Sequence, residues 1–580
     1  MQKILIWRKI SPADGVVVAF ILAVIYGLAA YTHQLETSFR AAVNIDLSLY
    51  SLPYYTLFSA LRGIAAFILS LAFTLVVGFW AAKSEKAERF LIPLLDILQS
   101  IPVLGFLPGL VLFLIAVFPR TNLGLELACI IMIFTGQVWN MTFSFYSSLK
   151  SVPSDFNEVS SVIGLNMWEK LRRVELPFSA MNLVWNSLLS MSGGWFFLSV
   201  CEAFTLGDRE FRLPGIGAYM ATAIARGNIS ATIAGIIAMS VLIIVMDIIL
   251  WRPVLAWAHQ FRLEDVPGFT ATEPLMRNLV RESGLLRWIR LNYRKRMLHR
   301  SISGKPATEA QRSELRFDRS RFLRSKRGWN PLLKWIGRLL LLASLILVVY
   351  ATIRLFGMLA SVSLSTWASL LSGTAFTFLR VLTCLILGSI WTVPAGIWIG
   401  TSQRRIRIAQ PIVQVLASFP APMLYPLALA VLFALKIPFG LASMFLMLLG
   451  AQWYILFNVL AGAMRIPMEL KYAALLMNVS KSELWKKLYL PSVFPPLVTG
   501  WVTAAGGAWN ASIVAEYLSY KGTILTTHGL GSLISVAASS ANFSLLAASL
   551  TIMVAVVIVL NRNIWARIYH VSQTRFRMDL

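Results

Sequence analysis

Residues Ile229-Ser-Ala-Thr-Ile-Ala-Gly-Ile-Ile-Ala-Met-Ser-Val-Leu-Ile-Ile-Val-Met246 contain no charged side chain. A helix needs about 20 mostly apolar residues to cross a bilayer, and this run with its flanks has them. The pattern is neither a helical stripe nor an alternation, so the segment is apolar on every side. Eleven further stretches read the same way. With the first, they fall at 14–32, 56–82, 89–118, 124–147, 178–206 and 229–257 in one half of the chain. In the other they fall at 332–357, 366–400, 408–435, 438–462, 492–518 and 542–562. The whole chain of 580 residues is 57% apolar and only 13% charged. A single soluble core stops growing near 250–300 residues, so this much apolar surface has no soluble home. The reading is an all-α polytopic membrane protein with about 12 transmembrane helices.

The net charge of +26 is explained by where the bases lie. Lys3, Arg8 and Lys9 precede the first stretch, and basic residues mark the cytoplasmic side. The N-terminus, the loop Lys83–Arg89, the loop at Arg404, Arg405 and Arg407, and the C-terminal tail all then fall inside. So does segment 259–331, with 17 Lys/Arg against 7 Asp/Glu. Residues 286–300 of that segment suit an anionic inner leaflet. Loops on the other side are poor in base. Topology accounts for the charge, and nucleic acid is not expected as a partner. The small residues near Ala29 resemble a cleavage site, but a retained first span fits better.

Segment 259–331 reads as a linker. Gly304-Lys305 lacks the earlier glycine of a phosphate-cradling loop, and that pattern occurs nowhere in the chain. Cys129, Cys201 and Cys384 lie within apolar stretches and form no Cys-x-x-Cys pair. No His/Cys/Asp cluster has metal-ligand spacing, and no catalytic set is apparent.

The chain repeats itself. A shift of 318 lays Arg62 on Arg380, Gly78 on Gly396, Trp80 on Trp398, Pro102 on Pro420 and Pro108 on Pro426. A shift of 314 lays Trp139 on Trp453, Pro177 on Pro491, Trp195 on Trp509, Glu202 on Glu516, and Gly215-Ile-Gly217 on Gly529-Leu-Gly531. Each copy has six stretches, an even number, so both enter the membrane in the same sense. Parallel repeats of this kind build transporters with a pathway between the halves. The expected domains are 1–258 and 332–580, joined by the linker 259–331.

Three constellations carry the expected mechanism. On the inner side, each half has a short amphipathic stretch ending in Leu-Pro. The first runs from Pro153 through Glu158, Ser161, Gly164, Leu165, Trp168 and Glu169 to Leu176-Pro177; the second runs from Pro467 through Tyr472, Ala473, Asn478, Val479 and Glu483 to Leu490-Pro491. The turn between their two short helices needs a residue that tolerates positive φ, which Gly164 and Asn478 supply. Next come Gly193-Gly-Trp195…Glu202 and Gly507-Ala-Trp509-Asn510…Glu516. A carboxylate near the membrane is costly and therefore paired or functional. The last is Ser100-Ile-Pro102…Pro108 with its copy Ser418-Phe-Pro420…Pro426. Proline frees backbone carbonyls, and paired helix breaks in the two halves point to the pathway. A packing kink is the alternative for these prolines, and packing alone for the tryptophans.

The inner stretches resemble the signature of permease subunits of type I ATP-binding-cassette importers: Glu-Ala-Ala, three residues, Gly, nine residues, then Ile-x-Leu-Pro. Glu158, Gly164, Val174, Leu176 and Pro177 match in the first copy. Ala473, Ala474, Leu488, Leu490 and Pro491 match in the second, where Tyr472 and Asn478 depart from the pattern. The Gly-x-Trp…Glu and Gly-x-Gly elements resemble the nitrate, sulfonate, taurine and bicarbonate branch. The resemblance implies two fused permease domains in a plasma (inner) membrane, N- and C-termini cytoplasmic. It implies two cytoplasmic ATPase subunits that carry ATP and Mg, with no cofactor on this chain, and an extracytoplasmic solute-binding protein. The expected substrate is a small polar anion, moved by alternating access. Rival readings are a fused ferric-iron or thiamine permease, an ion-coupled secondary transporter, and a membrane scaffold.

Overall fold

The computed structural model describes residues 25–26, 28–100, 102–261, 331–520 and 522–575. Residues 14–24 of the first expected span and 262–330 of the linker lie outside the described residues. In the first half the helices are α1 (Leu52–Lys83), α2 (Glu85–Ser100), α3 (Val103–Val117), α4 (Leu123–Lys150), α5 (Ser154–Val162), α6 (Met167–Cys201), α7 (Ile216–Ala225) and α8 (Ile229–Ala258). A further helix, α9 (Pro331–Ala360), belongs to a unit separate from these helices. The second half repeats the first as α10 (Leu364–Gly400), α11 (Gln403–Ser418), α12 (Ala421–Ala434), α13 (Phe439–Met464), α14 (Met468–Leu476), α15 (Leu490–Ala515), α16 (Leu530–Ser539) and α17 (Phe543–Ser572).

Among the described residues, seven helices are long and apolar enough to cross a membrane: α1, α4, α6, α8, α10, α13 and α17. An eighth is counted if α11 and α12, bent by 90° at their junction, form one broken span. The all-α polytopic architecture stands, with changes in detail. The stretch 89–118 is not one helix: α2 ends at Ser100 and a new helix begins after Pro102, whose ψ of 113° is extended. Pro420 does the same between α11 and α12, with ψ 112°. A prolyl nitrogen has no hydrogen to continue the ladder, so both helices stop there. The stretches 178–206 and 492–518 also end early, because their last residues are strands. β1 (Ala203–Leu206) pairs antiparallel with β2 (Arg209–Arg212), and β3 (Tyr517–Tyr520) with β4 (Thr523–Thr526).

In each half the core is a packed triplet, α1–α4–α6 and α10–α13–α15. Without a hydrophobic drive between helices in lipid, close backbone approach supplies the packing. Met141, Phe145 and Leu183 fill the first triplet. In the second, a Cβ on Gly462 would stand 2.4 Å from the Pro496 ring, so only glycine lets α13 and α15 touch there. π-Helical turns recur at matching places: Leu171–Glu175 with Leu484–Tyr489, and Asp247–Trp251 with Asn561–Trp565. Such turns mark functional positions often enough to be noted.

Candidate functional site: paired ion clusters, helix breaks and turns

The two carboxylates expected near the membrane are each bound by an arginine of their own half. In the first half Arg62, Glu126 and Glu202 are fully buried. Arg62 donates from Nε and Nη2 to the two oxygens of Glu126, both at 2.6 Å. Its Nη1 donates to Glu202 Oε1 at 2.7 Å and to the Pro214 carbonyl at 2.8 Å. Ser59 Oγ donates to Glu202 at 2.6 Å and accepts from Ile216 N. Gly217 N donates to Glu202 Oε2 at 2.7 Å. Tyr31 OH donates to Glu126. Glu202 therefore sits at the N-terminus of α7, where free N–H groups and the helix dipole favour an anion.

The second half repeats this with one change. Arg380 Nη1 donates to Glu516 Oε1 at 2.8 Å, Thr377 Oγ1 donates to Glu516, and Leu530 N donates to Thr377. Ser532 N donates to Glu516 Oε2. Where the first half has Glu126, the second has Gly440, whose carbonyl accepts from Arg380 Nε. The Gly-x-Gly elements make room for these carboxylates. A Cβ on Gly215 would stand 2.3 Å from the Glu202 carboxylate, and one on Gly529 2.2 Å from Glu516 Oε2. Glu202 and Glu516 thus hold β-hairpin and short helix against α1 or α10. Ser59, Arg62, Glu126, Thr377 and Arg380 were missed as site residues. The legible signal was an arginine recurring inside an apolar stretch of both copies.

The helix breaks do meet the opposite half. Val103 N, just past Pro102, donates to Asn510 Oδ1 of α15 at 2.9 Å. Ser418, just before Pro420, shares a 2.7 Å hydrogen bond with Ser192 of α6. Beside it, Gln414 Nε2 donates to Asp247 Oδ1 at 2.7 Å, and Arg252 holds the other Asp247 oxygen. A narrow cavity of about 10 Å³, the room of one water, is lined there by Trp195, Ser192, Asp247, Gln414 and Ser418. Trp195 and Trp509 are buried. Pro108 is buried in α3 just past its opening tight turn Val103–Phe106, and Pro426 lies inside α12. The side chain of Ser100 lies outside the described residues.

The two inner turns have the conformation the sequence required. Gly164 has φ +74° and Asn478 φ +48°. Each follows a nine-residue helix, α5 or α14. Glu158, Ser161, Trp168, Tyr472 and Ala473 are exposed. Leu165 N and Val479 N close the turns on the carbonyls of Ser160 and Ala474. Glu169 and Glu483 also make local bonds within their own turns. Glu169 forms a capping box with Asn166, and Glu483 pairs with Ser480 and Lys487. Around the turns Val162, Ile163, Trp168, Leu476 and Met477 are each at least 67% exposed, an apolar face turned outward beyond the membrane spans.

Residues 74–250 and again 392–568 match the family described as binding-protein-dependent transport system inner membrane component. Together these cover more than half of the chain. The chain belongs to this family. The two matches lie 318 residues apart at both ends, the shift that aligns the first spans of the repeat. Similar proteins include a putative ABC transporter permease protein of Methanocaldococcus jannaschii, 29% identical over 34% of this chain and 70% of that one. A nitrate import permease protein of Leptolyngbya laminosa is 31% identical over 24% of this chain and 49% of its own. A bicarbonate transport system permease protein of Synechococcus elongatus is 30% identical over 25% of this chain and 50% of its own. The chain thus spans about half the length of the latter two. Family membership makes it a multi-pass membrane component of a transport system, and implies an ATPase and a binding protein as partners in general.

Proposed function

We propose that this chain forms both halves of the membrane pathway of an ATP-driven importer for a small polar anion. Nitrate, bicarbonate and sulfonate are the class, from the names of the related permeases. The two permease domains are 1–258 and 332–580, and the basic linker 259–331 lies on the ATPase side with both termini. Two separate ATPase subunits, carrying ATP and Mg, dock on the turns at 154–170 and 468–483. A solute-binding protein delivers the anion to the other face. The observation that carries this reading is the pair of turns. At equivalent places, two short helices joined by a positive-φ residue present exposed apolar side chains, the form of a knob for a groove on a partner. The departures Tyr472 and Asn478 make the two dockings unequal.

The test is affinity purification of the full chain in mild detergent with its ATPase. Val162→Asp and Leu476→Asp place a charge in each exposed apolar face without touching a cap. Loss of the ATPase from the double variant, with the chain still monodisperse, is the expected result. A wild-type chain that is folded yet retains no ATPase would instead favour an ion-coupled transporter.

A further inference from the structure

One position of the repeat cannot carry the same residue in both halves. The shift of 314 lays Gly193 on Gly507 and Asn140 on Tyr454. Two parallel repeats are related by an axis along the membrane normal, and the midpoint between equivalent residues lies on it. One side chain lies against both glycines. A Cβ on Gly193 of α6 would stand 3.3 Å from Tyr454 Oη, and one on Gly507 of α15 would stand 3.0 Å from Tyr454 Cε2. The Tyr454 ring, carried by α13, therefore stands at the axis and reaches from its own half to the other. Two such rings could not share that place, and the equivalent residue on α4 is the smaller Asn140.

The helix breaks come to the same level. Ser192, next to Gly193, holds Ser418, and Asn510, one turn past Gly507, holds Val103 N. The ring thus closes the axis between the two breaks. Its hydroxyl is not used in packing. Among the described residues Tyr454 Oη has no hydrogen-bond partner, although the side chain is half-buried, and the Asn140 amide has none either. A polar group withdrawn from water without a partner is costly, and one at membrane depth marks a pathway. A neutral O–H can hold an anion loosely enough to release it, which conduction requires.

We propose that Tyr454 is a specificity-determining residue of the pathway. Its ring is the constriction on the axis, and its hydroxyl donates to an oxygen of the passing oxyanion. This deepens the transport reading above and rests on it.

The chain is reconstituted in vesicles with its ATPase and binding protein, and ATP-driven uptake of nitrate, bicarbonate and methanesulfonate is measured. Tyr454→Phe keeps the ring and removes only the unpartnered oxygen. It should lower the maximal rate roughly tenfold, the worth of one hydrogen bond to a charged group, without lowering the thermal midpoint. Tyr454→Ala opens the constriction and should raise uptake of methanesulfonate, the bulkiest of the three, relative to nitrate. Tyr454→Leu gives the same comparison if the alanine variant does not fold. A ring that only packs would leave Tyr454→Phe at the wild-type rate, and that result overturns the donor. An unchanged ratio of methanesulfonate to nitrate in the smaller variants overturns the constriction. Failure of the underlying reading looks different: the wild-type complex then moves none of the three anions, which overturns both.

Discussion

At the residue scale, the arginine–carboxylate clusters set the energetics. A buried ion pair is weak evidence for stability, but removing one partner leaves an uncompensated charge and costs about 3–5 kcal/mol. Arg62 is fully buried between two carboxylates, whereas the Arg380 side chain keeps 12% of its surface exposed and faces one. Arg62→Ala should therefore lower the thermal midpoint in detergent more than Arg380→Ala. Equal shifts would mean that solvent reaches both clusters alike. The glycines give a second comparison. Gly215→Ala forces a methyl into the Glu202 carboxylate and should cost about 1–3 kcal/mol, as overpacking does. Gly506→Ala meets nothing within 4 Å and should be silent. The same thermal measurement separates the two.

At the scale of elements, the turns and the helix that follows each long span are held by local polar bonds. Glu169, expected as a docking residue, also closes a capping box with Asn166, while Glu483 accepts from Ser480 and Lys487. Glu169→Ala should cost about 1 kcal/mol of helix stability, the usual worth of a cap, so it reports on the cap before it reports on a partner. Glu88 ties α2 to the end of α4. Its bond to Lys150, followed by that to Tyr146, holds the carboxyl below its ordinary value of 4.5. A carboxyl lowered in the folded state stabilises above its unfolded pKa, and that contribution fades as pH falls through the folded value. Glu88→Gln should therefore be less stable than wild type near neutral pH. The gap should close below pH 4.5. A midpoint difference that does not change with pH would refute this.

At the scale of the whole transport body, the halves touch where the helices break. Ser192 and Ser418 lie close enough for a disulfide between S192C and S418C. The native Cys129, Cys201 and Cys384 are buried and should not compete. An oxidant should join the pair and stop uptake in vesicles, and a reductant should restore it. Uptake that survives full cross-linking would mean the two halves do not separate here during transport.

The long apolar spans α1, α4, α6, α8, α10, α13 and α17, the repeat with its shifts of 318 and 314, and the positive-φ turns were legible in the chain itself. Each is a local pattern: lipid demands long apolar runs, and a tight turn demands glycine or asparagine. The hairpins of four-residue strands after Glu202 and Glu516 were not legible, because strands so short leave no periodicity and continue an apolar run. The company kept by Arg62 was not legible either. Glu126 and Glu202 lie 64 and 140 residues away, and nothing local says that three such groups share one buried place. Only the packing of α1, α4 and α6 decides that. The same holds for Asp247 with Gln414, which meet because a π-helical turn of one half faces a helix break of the other.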